Sequence, residues 1–293
     1  MPNPEFHPDR YRAISRVLTR VFFLNIAVAV AKVAVGYTTG SVSVLSDGFH
    51  SLSDSATNIV ALIGVHVARR PPDENHPYGH RKYETMAAAA IVAFLAIVVL
   101  EIGQAAFGRL RAGRVPDATL ASIVVMGVTL IVNIFVVRYE RAAGRQLTSE
   151  VLLADALHTR SDVLTSLTVI VALAGTRMGI PILDPLAAFV VAGFIGYAAF
   201  DIARGASRVL SDEIVIPEED IRTVVMGVPQ VVGCHRIRTR GSADHVFLDL
   251  HVWMQADTRL DVAHDLSHDV KDRLMAKYPQ IVDAIIHIEP RET

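Results

Sequence analysis

Long apolar stretches fill the first two thirds of the chain, and a mixed polar and apolar pattern fills the last third. A helix needs about 20 mostly apolar residues to cross the hydrocarbon core of a bilayer. Six stretches meet this requirement, which predicts an integral membrane bundle of six transmembrane α-helices. They cover about Val17–Tyr37, Val42–Val67, Glu84–Phe107, Ala118–Val137, Leu152–Arg177 and Pro185–Val209.

The basic residues predict how these helices are oriented. Six crossings place both termini on one side of the membrane, and most Arg and Lys residues outside the apolar stretches fall on that side. Cytoplasmic loops carry the excess of Arg and Lys, so a multi-pass protein of the plasma (inner) membrane with both termini in the cytoplasm is predicted. Lys32, inside the first apolar stretch, is interpreted as a lysine that reaches along the helix toward the outer membrane interface.

From Ser211 onward the pattern is that of a small soluble domain. Two segments have helical periodicity, at Pro217–Met226 and Leu260–Lys277. Three others alternate like strands: Val231–Thr239, Val246–Met254 and Ile281–Ile288. We therefore predict a membrane transport domain over residues 1–210 and an α+β cytoplasmic domain of the order αββαβ over residues 211–293.

Composition narrows the class of function. The chain is 52% hydrophobic and has a net charge of −2, and its mean hydropathy is +0.38. Such a chain suits a lipid bilayer and has no general attraction to nucleic acid. The single cysteine excludes an intrachain disulfide and a cysteine-based zinc site, whereas the twelve histidines leave other metal sites open.

Two of the predicted membrane helices carry the same pattern, Asp-x-x-His-x-x-x-Asp. Positions i, i+3 and i+7 share one face of a helix, so each segment presents a carboxylate, an imidazole and a second carboxylate in one stripe. A lone segment of this kind is as consistent with hydrogen bonding between helices as with ligation, and the repeat favours ligation. The residues are Asp47, His50 and Asp54 in the second helix, and Asp155, His158 and Asp162 in the fifth.

A bound divalent cation would offset the cost of these acids. A charged acid at the bilayer centre costs about 2.5–3.5 kcal/mol on insertion scales. His50 and Asp54 with His158 and Asp162 supply four nitrogen and oxygen ligands, a set that suits tetrahedral zinc. Asp47 and Asp155 lie one turn away, and we interpret them either as relay acids on the ion path or as structural hydrogen-bonding groups.

These features resemble the cation diffusion facilitators. The resemblance covers nearly the whole chain and rests on the two His-x-x-x-Asp pairs, the Asp-Glu-Asn-His-Pro-Tyr-Gly-His loop at residues 73–80 and a histidine-rich tail. It implies a homodimeric metal/proton antiporter, a secondary active transporter rather than an enzyme, with metallochaperone-like cytoplasmic domains. It would also pair Lys82 with an acid after the sixth helix, where Ser207 stands.

Two further metal sites are expected. The loop residues Asp73, His76 and His80 have a spacing compatible with three ligands and an open position, and the alternative is a capped turn with surface histidines. The resemblance implies a binuclear regulatory zinc site in the tail. Its ligands would be His235, His251, His264, His287 and Glu289.

The predicted function is efflux of a divalent metal, zinc foremost, from the cytoplasm in exchange for protons by alternating access. Export of iron, manganese, cobalt or nickel by the same scaffold is the main alternative. A metal-gated channel and a membrane-anchored metal sensor are the two other classes considered, and neither of them requires proton exchange.

Overall fold

Each predicted apolar stretch coincides with a long α-helix. The computed structural model describes residues 8–39, 42–112, 120–177 and 183–291, so the first two residues of the predicted fourth stretch, at 118 and 119, lie outside the described residues. Two compact units meet between Ala206 and Ser207. The long helices are α1 (Pro8–Thr39), α2 (Val42–Ala68), α3 (Lys82–Ala112), α4 (Leu120–Gln146), α5 (Glu150–Arg177) and α6 (Leu183–Leu210).

Three of these helices are long and apolar enough to cross a membrane by length and composition. The qualifying segments are Asp9–Thr38, Lys82–Gly108 and Pro185–Leu210, and a shorter apolar segment covers Ser55–Ala68. The described residues thus contain three candidate spans rather than six. A helical membrane unit is established on this basis, and the six-span topology stays a prediction.

Small residues bring the first three helices close together. A Cβ atom added at Gly48 of α2 would lie 2.7 Å from the Val33 side chain of α1, and one at Gly64 would lie 2.3 Å from the Ala87 Cβ of α3. Close backbone approach through small residues is the usual way for helices to associate in lipid, where apolar burial gives no driving force between them. Large apolar side chains such as Phe23, Leu100 and Ile131 are exposed instead, as a lipid-facing surface requires.

The second unit contains helix α7 (Glu218–Met226), strand β1 (Gly233–Ser242), strand β2 (His245–Met254), helix α8 (Leu260–Lys277) and strand β3 (Ile281–Pro290). This is the predicted αββαβ order. The strands form one sheet in the order β1-β2-β3, with β1 antiparallel to β2 and β2 parallel to β3. At the β1–β2 hairpin, Gly241 has φ +119° and its α-hydrogen faces the His245 carbonyl, where a Cβ would lie 2.1 Å from the oxygen.

The two faces of the sheet differ in character. On β2 the even-numbered residues Val246, Leu248, Leu250 and Val252 are buried in the core of this unit, together with residues of α7 and α8. Successive side chains of a strand point to opposite faces, so His251 lies on the other face. There it pairs with His235 of β1 and His287 of β3. The register thus brings three histidines from three strands to one row.

Candidate metal centres

The two ligand-bearing helices are α2 and α5. His50, Asp54 and Asp47 lie on α2, whose backbone is described, but their side chains lie outside the described part of the structure. On α5, His158 is 5% exposed and Asp162 is partly buried. The α5 half of the predicted site therefore places an imidazole and a carboxylate inside the helical unit.

His158 and Asp162 share a polar cavity. Thr159 of α5 lines the same cavity, and so does Ser51 of α2, which lies in the turn between His50 and Asp54. An apolar bundle that spans a membrane rarely encloses polar groups unless they serve a ligand or an ion path. The remaining lining residues come from α1, α2 and α4 and are Asn25, Val28, Thr57, Asn58, Thr129 and Asn133.

Lys32 corrects one expectation from the sequence. Its residue exposure is only 6%, and its Nζ donates a hydrogen bond to Ser51 Oγ at 2.8 Å. The side chain therefore points into the bundle beside the predicted ligand turn of α2 instead of reaching outward to the membrane interface. The apolar sequence around Lys32 could not reveal this, because the direction of the side chain depends on how α1 packs against α2.

A second polar group lies one turn from the α5 ligands. Asp155 is fully buried and its Oδ2 accepts a hydrogen bond from Asn58 Nδ2 at 2.7 Å. Glu140 of α4 is also fully buried and accepts a hydrogen bond from Thr159 Oγ1 at 3.4 Å. Glu140 was missed in the sequence because it lies three residues past the predicted end of the fourth apolar stretch, where a charged side chain suggests water.

The loop between α2 and α3 brings its three predicted residues together. Asp73 Oδ1 lies 3.0 Å from His76 Nδ1, and Asp73 Oδ2 lies 3.4 Å from His80 Nε2. Gly79 has φ +80°, a left-handed conformation that favours glycine and turns the chain so that His80 returns to Asp73. The ligand atoms of the three residues lie within 4.8 Å of one another, as three ligands of one ion would.

The same contacts tune the loop carboxylate. Burial works to raise the pKa of the Asp73 carboxyl, but hydrogen bonds from the side chain and backbone of His76 outweigh it and lower that pKa. An ionised acid with two adjacent imidazoles is a suitable donor set for a first-row dication. The capped turn and the ligand set are thus properties of the same residues, since Asp73 also accepts the backbone N–H of His76 at 2.7 Å.

Four of the five predicted tail residues meet on the open face of the sheet. Glu289 Oε1 lies 2.7 Å from His251 Nδ1, and Glu289 Oε2 lies 3.3 Å from His235 Nε2. His287 lies beside them, with its Nε2 3.6 Å from Glu289 Oε1. The ligand atoms of His235, His251 and Glu289 lie within 4.8 Å of one another. The indole of Trp253 stacks on His235 at 4.4 Å between ring centroids and fixes that imidazole.

The charge on Glu289 follows from this arrangement. The hydrogen bond to His251 is the largest influence and lowers the pKa of the Glu289 carboxyl, and the charges of the three histidines add to that effect against burial. Two imidazoles and a carboxylate fit a zinc site with a position open for a further ligand. The residues present therefore fit the regulatory metal that the family resemblance implies.

His264, the fifth predicted tail residue, is not part of this group. It lies on α8, where its ring is 4.7 Å from that of His268 one turn further along. Both histidines are exposed. Within the described residues of this single chain, the sheet cluster and the α8 histidine pair are separate features.

Comparison with known proteins identifies the scaffold. Residues 18–211 match the cation efflux transmembrane domain, and residues 216–291 match the cytoplasmic domain of cation efflux proteins. An uncharacterized transporter of Methanocaldococcus jannaschii is 33% identical over 95% of this chain and 99% of its own length. A cation-efflux pump FieF of Cronobacter sakazakii is 30% identical over 96% of this chain and 94% of its own length. Metal tolerance protein C1 of Arabidopsis thaliana is 30% identical over 97% of this chain and 65% of its own length. The chain therefore belongs to the cation diffusion facilitator family of membrane cation-efflux proteins.

Proposed function

We propose that this chain exports a divalent transition metal, zinc foremost, from the cytoplasm in exchange for protons. The observation that carries the proposal is the placement of His158 and Asp162 on a polar cavity that is shared by α1, α2, α4 and α5. A buried imidazole and a carboxylate on one wall need a cationic partner, and the family of the chain moves cations.

The transported ion would be held by two pairs of ligands. His158 and Asp162 supply one nitrogen and one oxygen from α5, and His50 and Asp54 supply the same donors from α2. Two imidazoles and two carboxylates around one ion suit the tetrahedral geometry of zinc. Ser51 on the cavity wall supports this arrangement, because it places the ligand-bearing turn of α2 at the cavity that His158 lines.

Exchange with protons follows from the same ligands. Histidine binds metal only in its neutral form and titrates near physiological pH, so protons compete with the ion for His50 and His158. Protons that arrive from the outside would displace the metal outward, and their inward gradient would drive a cycle of alternating access. A secondary active transporter needs no further energy source.

The remaining features of the proposal concern assembly. Six spans with both termini in the cytoplasm of the plasma (inner) membrane agree with the six long helices and with the distribution of basic residues. The match of residues 216–291 to the cytoplasmic domain of cation efflux proteins supports a homodimer with metallochaperone-like tails. The loop cluster around Asp73 would receive the cytoplasmic ion, and the sheet cluster around Glu289 would hold regulatory zinc. We keep His264 as a tail ligand that acts within the dimer.

A transport assay with His158→Ala tests the central site. Proteoliposomes that contain the purified protein and a pH-sensitive dye should show zinc-dependent proton flux, and His158→Ala should reduce it to the level of empty vesicles. His66→Ala is the matched control, because His66 is an exposed histidine on α2 outside the repeated motif. Normal zinc–proton exchange by His158→Ala would refute the site, and zinc flux without proton movement would favour a channel.

A second candidate is export of iron, manganese, cobalt or nickel. The donor set favours this alternative to the extent that it lacks a thiolate, since imidazole and carboxylate ligands bind all first-row dications and leave selectivity to geometry. The same proteoliposomes, supplied in turn with each of the five metals, decide between the candidates by the ratio of kcat/KM. A membrane-anchored sensor would move none of them.

A further inference from the structure

A chain of polar side chains crosses four helices of the membrane unit. Asn25 of α1 donates through Nδ2 to Asn58 Oδ1 of α2 at 2.9 Å. Asn58 in turn donates through Nδ2 to Asp155 Oδ2 of α5 at 2.7 Å. Thr159 of α5 donates to Glu140 of α4 at 3.4 Å. Asn58 is 2% exposed, and Asp155 and Glu140 are 0% exposed, so the chain runs through the interior.

The bond between Asn58 and Asp155 joins the two helices that carry the proposed ligands. Asn58 follows Asp54 by four residues on α2, and Asp155 precedes His158 by three residues on α5. Residues three or four apart lie on the same face of a helix. The bond therefore lies one turn from the ligand level, at the end of the bundle where α2 ends and α5 begins.

The orientation of the Asn58 amide is determined by its two partners. Its oxygen accepts the Asn25 amide and its nitrogen donates to the Asp155 carboxylate. A rotation of the amide by 180° would place its oxygen against the carboxylate and its nitrogen against another amide nitrogen, so both bonds would be lost. A buried polar group without its hydrogen bond is costly, which makes this one relative position of α2 and α5 strongly favoured.

We propose that Asn58 is a positioning residue for the transport site. By bonding to Asp155 it fixes the register of α2 against α5 and with it the separation of the His50/Asp54 pair from the His158/Asp162 pair. Since four ligands from two helices form one site only at one separation, this bond sets the affinity for the ion and the discrimination between ions. The inference rests on the proposed function, and it gives Asp155 a structural role instead of a relay role.

An exchange of the two residues tests the inference. In Asn58→Asp two carboxylates face each other, and the KM for zinc transport should rise about tenfold, the lower end of the effect of removing groups that support metal ligands. Asp155→Asn leaves two amides that still form a hydrogen bond, so its KM should rise less. The double variant Asn58→Asp/Asp155→Asn restores an amide and a carboxylate across the same gap. Its KM should return to within about twofold of the unmodified protein, a coupling that only contacting residues show.

The preference between metals separates positioning from simple stability. A loss of folded protein lowers the total flux but leaves the ratio of kcat/KM for zinc and cobalt unchanged. We expect this ratio to move toward one in Asn58→Asp and to recover in the double variant. Asn58→Ser, whose side chain is too short to reach Asp155, removes the bond without adding a charge and should shift the ratio in the same direction.

Several outcomes would overturn the inference. An unchanged KM and metal ratio in Asn58→Ser or Asn58→Asp would show that the bond does not set the site. Loss of transport in Asp155→Asn without recovery in the double variant would identify Asp155 as an acid of the ion path. These results differ from a failure of the proposed function, in which the unmodified protein itself shows no zinc-dependent proton flux.

Discussion

A buried ion pair at one end of the helical unit makes a strong prediction about stability. Arg10 of α1 donates to the two Glu84 carboxylate oxygens of α3 at 2.8 and 3.3 Å. The same guanidinium donates to the carbonyl oxygens of Leu147 and Thr148, both at 2.8 Å, in the turn between α4 and α5. Only 11% of the Arg10 side chain and 5% of the Glu84 side chain are exposed. One residue of α1 thus fastens α3 and the start of the ligand-bearing helix α5.

The two partners should not cost the same when they are removed. Arg10→Met deletes four hydrogen bonds and leaves the Glu84 carboxylate buried with the Ser149 hydroxyl as a donor. Breaking a buried pair in this way costs about 3–5 kcal/mol. Glu84→Gln keeps the shape of the side chain and leaves Arg10 bonded to two carbonyl oxygens, so a cost of about 1–3 kcal/mol is expected.

Unfolding of the purified protein in detergent, followed by circular dichroism during titration with SDS, measures these free energies. Arg12→Met is the matched control, because Arg12 lies on the same turn of α1 with 68% of its side chain exposed, and pairs only loosely with an exposed Asp9. Exposed pairs contribute about 0–1 kcal/mol. The double variant Arg10→Met/Glu84→Gln should cost less than the sum of its parts. Equal costs for Arg10→Met and Arg12→Met, or strict additivity in the double variant, would refute the reasoning.

Two further predictions concern the sheet cluster and the helix packing. Glu289→Gln should weaken zinc binding at the sheet cluster of the full-length protein by about 10–100-fold in a competition titration with a chelator, and transport should continue. The folded pKa of Glu289 is lowered mainly by His251, so its contribution to stability is present above the unfolded pKa and is lost only as pH falls below that value. An equal loss of stability at pH 7 and pH 3 on mutation would contradict this. Gly64→Ala should cost about 1–3 kcal/mol through overpacking against Ala87, whereas Gly103→Ala, with no atom within 4 Å of the added Cβ, should be neutral or stabilising.

Local patterns in the sequence were sufficient for the secondary structure. The prediction for α8, Leu260–Lys277, agrees with the structure at both ends, because an amphipathic period and a surface location are both local properties. The strands were predicted two or three residues off at some ends, where β1 begins at Gly233 and continues to Ser242. A strand ends where its neighbour stops offering partners, and that neighbour is distant in the sequence.

The ligand types and spacings were also available from the sequence, since a three- or seven-residue interval on a helix fixes a common face before any packing occurs. The sequence could not show that the Asn58 amide meets Asp155, residues 97 positions apart, or that Lys32 turns inward to Ser51. Nor could it show that Glu140 is buried or that His264 lies apart from the sheet cluster. These facts depend on which faces of separate elements come together, and in a chain so uniformly apolar the hydrophobic period does not specify that choice. The sequence by itself determined which residues can bind a metal, and only the tertiary structure decided which of them meet, because hydrogen bonds and close contacts between helices select one packing among many that bury the same apolar surface.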